Sequence, residues 1–294
     1  MNDTQPYRKN LLRAVGLTKR FGALAAVAGI DFDVPRHGIV SMIGPNGAGK
    51  TVFFNMLTGI IKPDGGEIWF NGEQITGEPP DRVTKLGIAR TFQGIRLFKN
   101  MTVLENVMVG RHTRMSRGLL DVVLRSQEMK DEERDARRKS LELLDFVGVR
   151  HMAEIEAKNL PYGMQRRVEV ARALATTPHL LLLDEPTAGM NPSETASMIE
   201  LISRLNTDMG LAVLLIEHDM RVVMRISERV SVLDYGVKIA EGTPAQIRHD
   251  TRVIEAYLGR TAAAGRELHP PEVEAEPGAR PAEGLQVRPK PVTG

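Results

Sequence analysis

The stretch GIVSMIGPNGAGKTVFFNMLTG, residues 38–59, decides the fold. GIVSMI is almost continuously apolar and ends on a glycine, the pattern of a strand buried on both faces. From Val52 to Thr58 the pattern turns helical. Between them lies GPNGAGKT, Gly44 to Thr51, with glycines at 44, 47 and 49 and with Pro45 and Ala48 filling the turn. Glycine allows tight backbone conformations, so successive amides from Asn46 onward can point into one concave anion site at a helix N-terminus. Lys50 adds a charge that can reach nucleotide β- and γ-phosphates, and the Thr51 hydroxyl is suited to ligate Mg²⁺. The alternative, a glycine turn before an ordinary helix, requires the glycines and the Lys-Thr pair to coincide at these spacings by chance.

Two more segments share the buried-strand pattern, HLLLLDEP from His179 and LAVLLIEHD from Leu211, and both end in polar residues. Parallel strands carry functional groups at such C-terminal ends. The first delivers Asp184 and Glu185. Beside a phosphate loop these can divide the labour: Asp184 holds Mg²⁺ directly or through water, and Glu185 orients or deprotonates an attacking water. The second delivers His218, which parallel pairing brings beside the Glu185 strand end, within reach of a γ-phosphate or that water. A structural histidine is the alternative. Alone, the acidic pair would read as a solvated turn.

Helical patterns at Val52 to Thr58, Met164 to Ala175 and Pro192 to Asp208 predict helices covering the parallel sheet. Shorter apolar segments before Gly38 (LLRAVGL, ALAAVAGIDFDV) and EIWFNGEQI from Glu67, with its Asn-Gly turn signal, predict an antiparallel β layer. From about Ile95 to Leu160 the strand signal disappears and apolar residues recur at helical spacing, as in TVLENVMVG and RKSLELLDFVGV. This predicts a helical lobe at about 95–163, inserted within a domain spanning 1–261. Residues 262–294, rich in Ala, Pro, Glu, Arg and Gly, hold too few apolar residues to bury a core and are expected to be disordered.

The chain has 294 residues, 42% hydrophobic and 26% charged, enough apolar material for one sizeable domain. It contains no cysteine, so it has no disulfide framework or thiolate site. No apolar run approaches the roughly 20 residues that cross a bilayer, and Met1 to Asn10 is polar with no signal-peptide apolar region. A cytoplasmic location is therefore the default expectation. The net charge of +2 is too mild to argue for nucleic acid, and Lys130 to Lys139 (KDEERDARRK) mixes both signs, as a solvated helix face does.

Taken together in order, these motifs resemble the ATP-binding-cassette (ABC) family over roughly Leu11 to Gly259. The resemblance adds Gln93, ending GIARTFQ, where the family has a glutamine that senses Mg²⁺ and water and joins the two lobes. It adds Phe21 in LTKRFG, where the family stacks an aromatic ring on adenine; a core phenylalanine is the alternative. It also adds NLPYGMQRRVEVARAL, which looks like the family's signature motif. There Tyr162, Gly163, Met164 and Gln165 open a helix toward the γ-phosphate held by an opposite subunit. Two departures stand out. Pro161 replaces the usual serine and supplies neither hydroxyl nor amide N–H, and Asn191 in AGMNP replaces the usual aspartate, keeping one acceptor without the charge. Both are expected to tune activity, not abolish it.

The implied fold is α/β, a P-loop NTPase of ABC type: a mostly parallel sheet, an antiparallel β subdomain and an inserted helical subdomain. The implied activity is ATP hydrolysis with Mg²⁺, in which Glu185 positions water while Lys50, His218 and Gln93 assist. GIARTFQGIRLFKNMTVLENVMVGRH, LIEHDM and GTPAQIRHDTRVIEAYLG are similar to the ATPase subunit of branched-chain amino acid importers. ATPases serving urea or short-amide import or lipopolysaccharide export, and soluble non-transport ABC ATPases, are the alternatives. Such a subunit implies a second ATPase, the same chain or a paralogue, two integral-membrane permeases and, indirectly, a secreted binding protein. It would sit peripherally on the cytoplasmic face of the inner membrane. Leu97 and Phe98 are expected to help form a groove for a short permease helix, with packing inside the lobe as the alternative.

Overall fold

A computed structural model of the chain describes residues 10–111 and 127–258. The three apolar runs form β3 (Ile39–Ile43), β7 (Leu180–Asp184) and β8 (Ala212–Ile216), buried at every position. They lie in a six-stranded sheet of order β10-β9-β3-β8-β7-β6. In it β6 (Ile88–Arg90) and β9 (Arg229–Asp234) also run parallel to their neighbours, and only β10 (Val237–Gly242) is antiparallel. Strand β8 sits between β3 and β7, with Ile216 in register with both Met42 and Asp184. The phosphate loop, Glu185 and His218 therefore leave the same edge of the sheet.

The two-residue period of a strand sorts these side chains between two cores. Leu180, Leu182, Ala212, Leu214 and Ile216 face a cluster containing Phe53 and Phe54 of α1 (Lys50–Leu57). Leu181, Leu183, Val213 and Leu215 face the other side, against α5 (Tyr162–Leu174) and α6 (Pro192–Thr207). The expected antiparallel layer is a four-stranded sheet, β2-β1-β4-β5, built from β1 (Asn10–Phe21), β2 (Leu24–Pro35), β4 (Gly65–Phe70) and β5 (Glu73–Gln74). It closes over α1, where the rings of Phe32 and Phe53 meet edge to face with centroids 5.4 Å apart.

Residues 95–163 hold α3 (Val103–Arg111) and α4 (Gln127–Phe146), with short 3₁₀ turns at Arg150–Met152 and Ala157–Asn159. Helix α3 starts on a reciprocal cap: the Glu105 amide donates to Thr102 Oγ1 and the Thr102 amide to Glu105 Oε2. Fully buried Asn106 pins the preceding loop, accepting the Phe98 amide at 2.8 Å and donating to the Phe98 carbonyl at 3.0 Å. Helix α2 (Pro80–Leu86) leads into β6, and α7 (Met220–Ile226), α8 (Pro244–Arg248) and α9 (Thr251–Leu258) follow β8 and β10. The last of these pack, through Ile247 and Val253, against Ile43 just before the phosphate loop. The tail expected at 262–294 lies outside the described residues.

Candidate functional site

Sterics enforce the course of the phosphate loop. A Cβ on Gly44 (φ +150°) would stand 2.1 Å from the Leu233 carbonyl oxygen, and one on Gly49 (φ +99°) 2.3 Å from that of Ala26. No side chain is possible at either place without moving backbone. The loop is propped from behind by the turn joining β9 and β10, where the Gly236 amide donates to the Ala48 carbonyl at 3.0 Å. Gly49 caps α1 without a side-chain acceptor, so the first helical amides are left to an external anion. In front lies a cavity of about 350 Å³ lined by Asn46 to Val52, Leu24 to Ala26, Gln93, Glu185 and Tyr235. Lys50 Nζ spans its floor, donating to the carbonyls of Gly44 (2.7 Å) and Pro45 (3.0 Å). Burial pushes the Lys50 ammonium below its usual range, and the carboxylates of Glu185 and Asp184 oppose that shift.

Asp184 and Glu185 have separate surroundings. Asp184 is 2% exposed, and its Oδ2 accepts from Arg90 Nη2 at 2.6 Å, while Arg90 Nη1 donates to Asn55 Oδ1 at 2.6 Å. Glu185 turns out of the strand in the left-handed region (φ +48°), which projects its side chain to the cavity wall. There its Oε2 accepts from Gln93 Nε2 at 3.0 Å. That bond leaves Gln93 Oε1 as the amide's acceptor atom. His218 is present on the same edge, but its Nδ1 lies 3.9 Å from Glu185 Oε2 and 3.7 Å from Glu217 Oε2, beyond hydrogen-bond distance. Its ring borders a neighbouring groove shared with Thr187 to Met190 and α7.

Other expected residues lie away from this cavity. Tyr162, Gly163, Met164 and Gln165 open α5 as expected, but none lines it. Pro161 is the residue before that helix, with extended ψ (150°), so its missing N–H falls outside the helical ladder. Its carbonyl accepts both the Met164 and Gln165 amides at 3.0 Å, so those two amides bond within the helix. A Cβ on Gly163 would stand 2.9 Å from Glu194 Oε1, so a larger residue there would need the Glu194 side chain to shift. Phe21, half exposed at the end of β1, is also outside the cavity lining, with Lys19 Nζ 5.7 Å from its ring centroid. Asn191 spends its acceptor on the cap of α6, taking the Glu194 amide at 3.0 Å.

Residues 27–188 match the ABC transporter family, and residues 237–263 match the family described as branched-chain amino acid ATP-binding cassette transporter. The chain belongs to the ABC transporter family. Among curated relatives of the cassette is the high-affinity branched-chain amino acid transport ATP-binding protein BraF of Pseudomonas aeruginosa. It is 45% identical over 249 residues, covering 85% of this chain and 98% of its own. LivG of Escherichia coli, which carries the same description, has the same identity and coverage. Among solved structures, a nucleotide-free ATP-binding cassette from an ABC transporter superposes with a TM-score of 0.75 at 31% identity, covering 85% of this chain and 99% of that one. The ADP conformation of an ABC transporter cassette follows at 0.74 and 31%, with the same coverage. The cassette is thus an ABC ATPase, and no helix among its described residues is long and apolar enough to cross a membrane.

Arg90 and Glu217, which the sequence patterns do not single out, also build the cassette's site. Arg90, in GIART, closes a short strand, and an arginine in that place needs a buried carboxylate partner. Glu217 lies in LIEHD, directly before His218. It is 0% exposed and accepts from the amide and hydroxyl of Thr187 and from the His218 amide (3.1 Å). It thereby ties the turn after Glu185 to the turn carrying His218.

Proposed function

We propose that this cassette is the ATP-hydrolysing subunit of a branched-chain amino acid importer, attached peripherally to the cytoplasmic face of the membrane. The observation that carries hydrolysis is the Gln93–Glu185 hydrogen bond on the wall of the Lys50 cavity. The solute reading rests on the names of BraF and LivG and on the match at 237–263, which favours it over urea, short-amide, lipopolysaccharide or soluble roles.

The loop amides from Asn46 onward would cradle the phosphates, and Lys50 would exchange its two carbonyl acceptors for phosphate oxygens. Glu185 would hold the attacking water in line, and His218 would turn from its groove to the γ-phosphate. Phe21 would flank the adenine. Among the described residues no group of three or more acidic or imidazole ligands could hold a metal by itself. Mg²⁺ binds through few protein ligands plus substrate phosphates, and Thr51 Oγ1, Gln93 Oε1 and Asp184 would hold it here. When bound, Mg²⁺ neutralises charge on the transferring phosphoryl group. Because Tyr162 to Gln165 lie off the cavity, a second ATPase subunit, identical or paralogous, would supply that turn to complete it.

A groove of about 310 Å³ between lobe and sheet, bordered by Phe92, Phe98, Val109 and Arg172, suits a short helix of an integral-membrane permease. Phe98 is 48% exposed there, whereas Leu97 packs against the interior, so the two residues divide between the readings expected of them. Two permeases and a secreted binding protein would complete the importer.

Glu185→Gln tests the reading in the reconstituted transporter. It should lower kcat by about 10²–10⁴-fold while ATP binding persists. Undiminished turnover would remove Glu185 from the mechanism, and uptake of urea in place of leucine would overturn the solute.

A further inference from the structure

The two sides of the phosphate cavity differ in chemistry. Strand β3 runs into the phosphate loop from within the sheet, with β8 and β7 on one side of it and β9 on the other. Glu185, after β7, and Gln93, after β6, close the cavity on the first side. On the β9 side the wall carries no charge: it is made by Leu24, Ala25 and Ala26 at the start of β2 and by Tyr235 in the turn after β9. Tyr235, 86% exposed, and Leu24, 68% exposed, are the two most exposed large apolar side chains among the described residues, and both belong to this wall. Apolar surface left open beside a polar site suits the apolar part of a ligand.

The tyrosine is held there against its own backbone preference. Asp234 pairs with Val237, which leaves a two-residue loop in which Tyr235 (φ +43°) and Gly236 (φ +80°) both adopt the left-handed region. Such loops favour Asn-Gly, and a bulky side chain is strained in the first position. Among the described residues the Tyr235 hydroxyl has no hydrogen bond and its ring no aromatic or cationic partner to offset that strain. The turn is nevertheless fixed. The Gly236 amide donates to Ala48 of the phosphate loop, the Gly236 carbonyl accepts the Ala28 amide of β2 at 2.8 Å, and a Cβ on Gly236 would stand 2.8 Å from the Ala26 carbonyl oxygen. Tyr235 is therefore carried at a set place relative to the phosphate loop.

We propose that Tyr235 is a nucleoside-binding residue, its ring packing against the base and sugar of the nucleotide with Leu24 on the same wall. The inference rests on the ATPase reading above. Water held by Glu185 can attack only a γ-phosphate that lies on the Glu185 side, so the phosphates run away from that side and the nucleoside leaves toward Tyr235. Phe21 pairs with Leu24 across the β1–β2 hairpin but stays outside the lining, so Tyr235 is the aromatic group that the cavity itself presents.

Calorimetric titration of the full-length chain with ADP, which avoids turnover, tests it. Tyr235→Asn removes the ring and suits the turn better, so its melting temperature should match or exceed that of the wild type while its Kd for ADP rises about tenfold. Tyr235→Phe keeps the ring and should bind ADP within about twofold of the wild type. At saturating ADP, hydrogen exchange of the phosphate loop, 44–51, should be slowed equally in all three. Unchanged ADP affinity in Tyr235→Asn overturns the proposal, and so does an equal loss in Tyr235→Phe, which would assign the contact to the hydroxyl. A melting temperature that falls together with affinity, or weaker protection of 44–51 at saturation, would make Tyr235 a prop of the loop and overturn it too. If ADP fails to slow 44–51 in the wild type, the nucleotide reading itself falls, and this proposal with it.

Discussion

Replacing Arg90 by methionine should destabilise the cassette by several kcal/mol, about 3–5. The Arg90 and Asp184 side chains are 5% and 3% exposed, and one 2.6 Å bond joins them. Burial disfavours the Arg90 cation, and Asp184 opposes that cost. Methionine keeps much of the packing against the rings of Phe54 and Phe92, whose centroids lie 5.5 and 5.1 Å from the guanidinium. It strands the Asp184 carboxylate in a dry site, a loss of about 3–5 kcal/mol. For a domain of this size that lowers Tm by about 6–20 °C. Asp184→Asn strands the guanidinium in turn and should cost a similar amount. The double variant Arg90→Met/Asp184→Asn carries no buried charge there and is expected within about 2 kcal/mol of wild type. Urea unfolding followed by circular dichroism, compared by midpoint at constant slope, measures all of these. A loss below about 1 kcal/mol for Arg90→Met, or a double variant as unstable as the sum of the singles, would refute the argument, since both follow from uncompensated charge.

Phe98→Glu should leave the melting temperature of the isolated chain unchanged while uncoupling ATPase from solute uptake in vesicles; Leu97→Glu should lower the melting temperature, because Leu97 packs against the interior. Glu217→Ala leaves the Thr187 and His218 donors without a buried acceptor, at about 1–3 kcal/mol for each group, and should depress kcat with ATP affinity held, as nucleotide titration and turnover together would report. Lys50 has its pKa lowered by burial and would have it raised by bound phosphate, so nucleotide binding takes up a proton and affinity falls as pH rises through the lowered value, below 10.5; calorimetry in buffers of different ionisation enthalpy should show that uptake, and Lys50→Met should abolish it. Pro161→Ser should leave ATPase activity equal or higher, because the residue lies outside the helical ladder, and a large loss on that change would mean that proline itself shapes the turn.

The central sheet was legible because β3, β7 and β8 are buried on both faces and can tolerate only apolar residues. The edges were less so. Strand β6 has three residues, too few for a period, and β9 and β10 turn at Tyr235–Gly236, both with positive φ, where Asn-Gly would have announced a hairpin. That tyrosine lines the phosphate cavity, so the missed turn also concealed a wall residue. Phe21 shows the reverse limit: its position along the chain is clear from sequence, but its distance from the cavity depends on how the β1–β2 hairpin sits.

The same division runs through the site chemistry. Glu185 and His218 were readable because each follows an apolar run and presents a polar tip at the sheet edge, whereas Gln93 entered through the family resemblance alone. Arg90, Arg166, Glu169 and Glu217 escaped because a single charge in such a run reads as solvated until its buried partner is known. Yet these hold the site's frame, and mostly by its backbone: Glu217 accepts from the His218 amide, and Arg166 donates to the Gln93 carbonyl. Bonds to main chain fix where a loop runs while leaving its side chain to turn. That is why the His218 ring stays beyond hydrogen-bond distance of both neighbouring carboxylates although its amide is tied to one of them. A site that must engage a γ-phosphate and then release it needs such an arrangement: rigid loops, with tips committed to no strong partner until the nucleotide arrives.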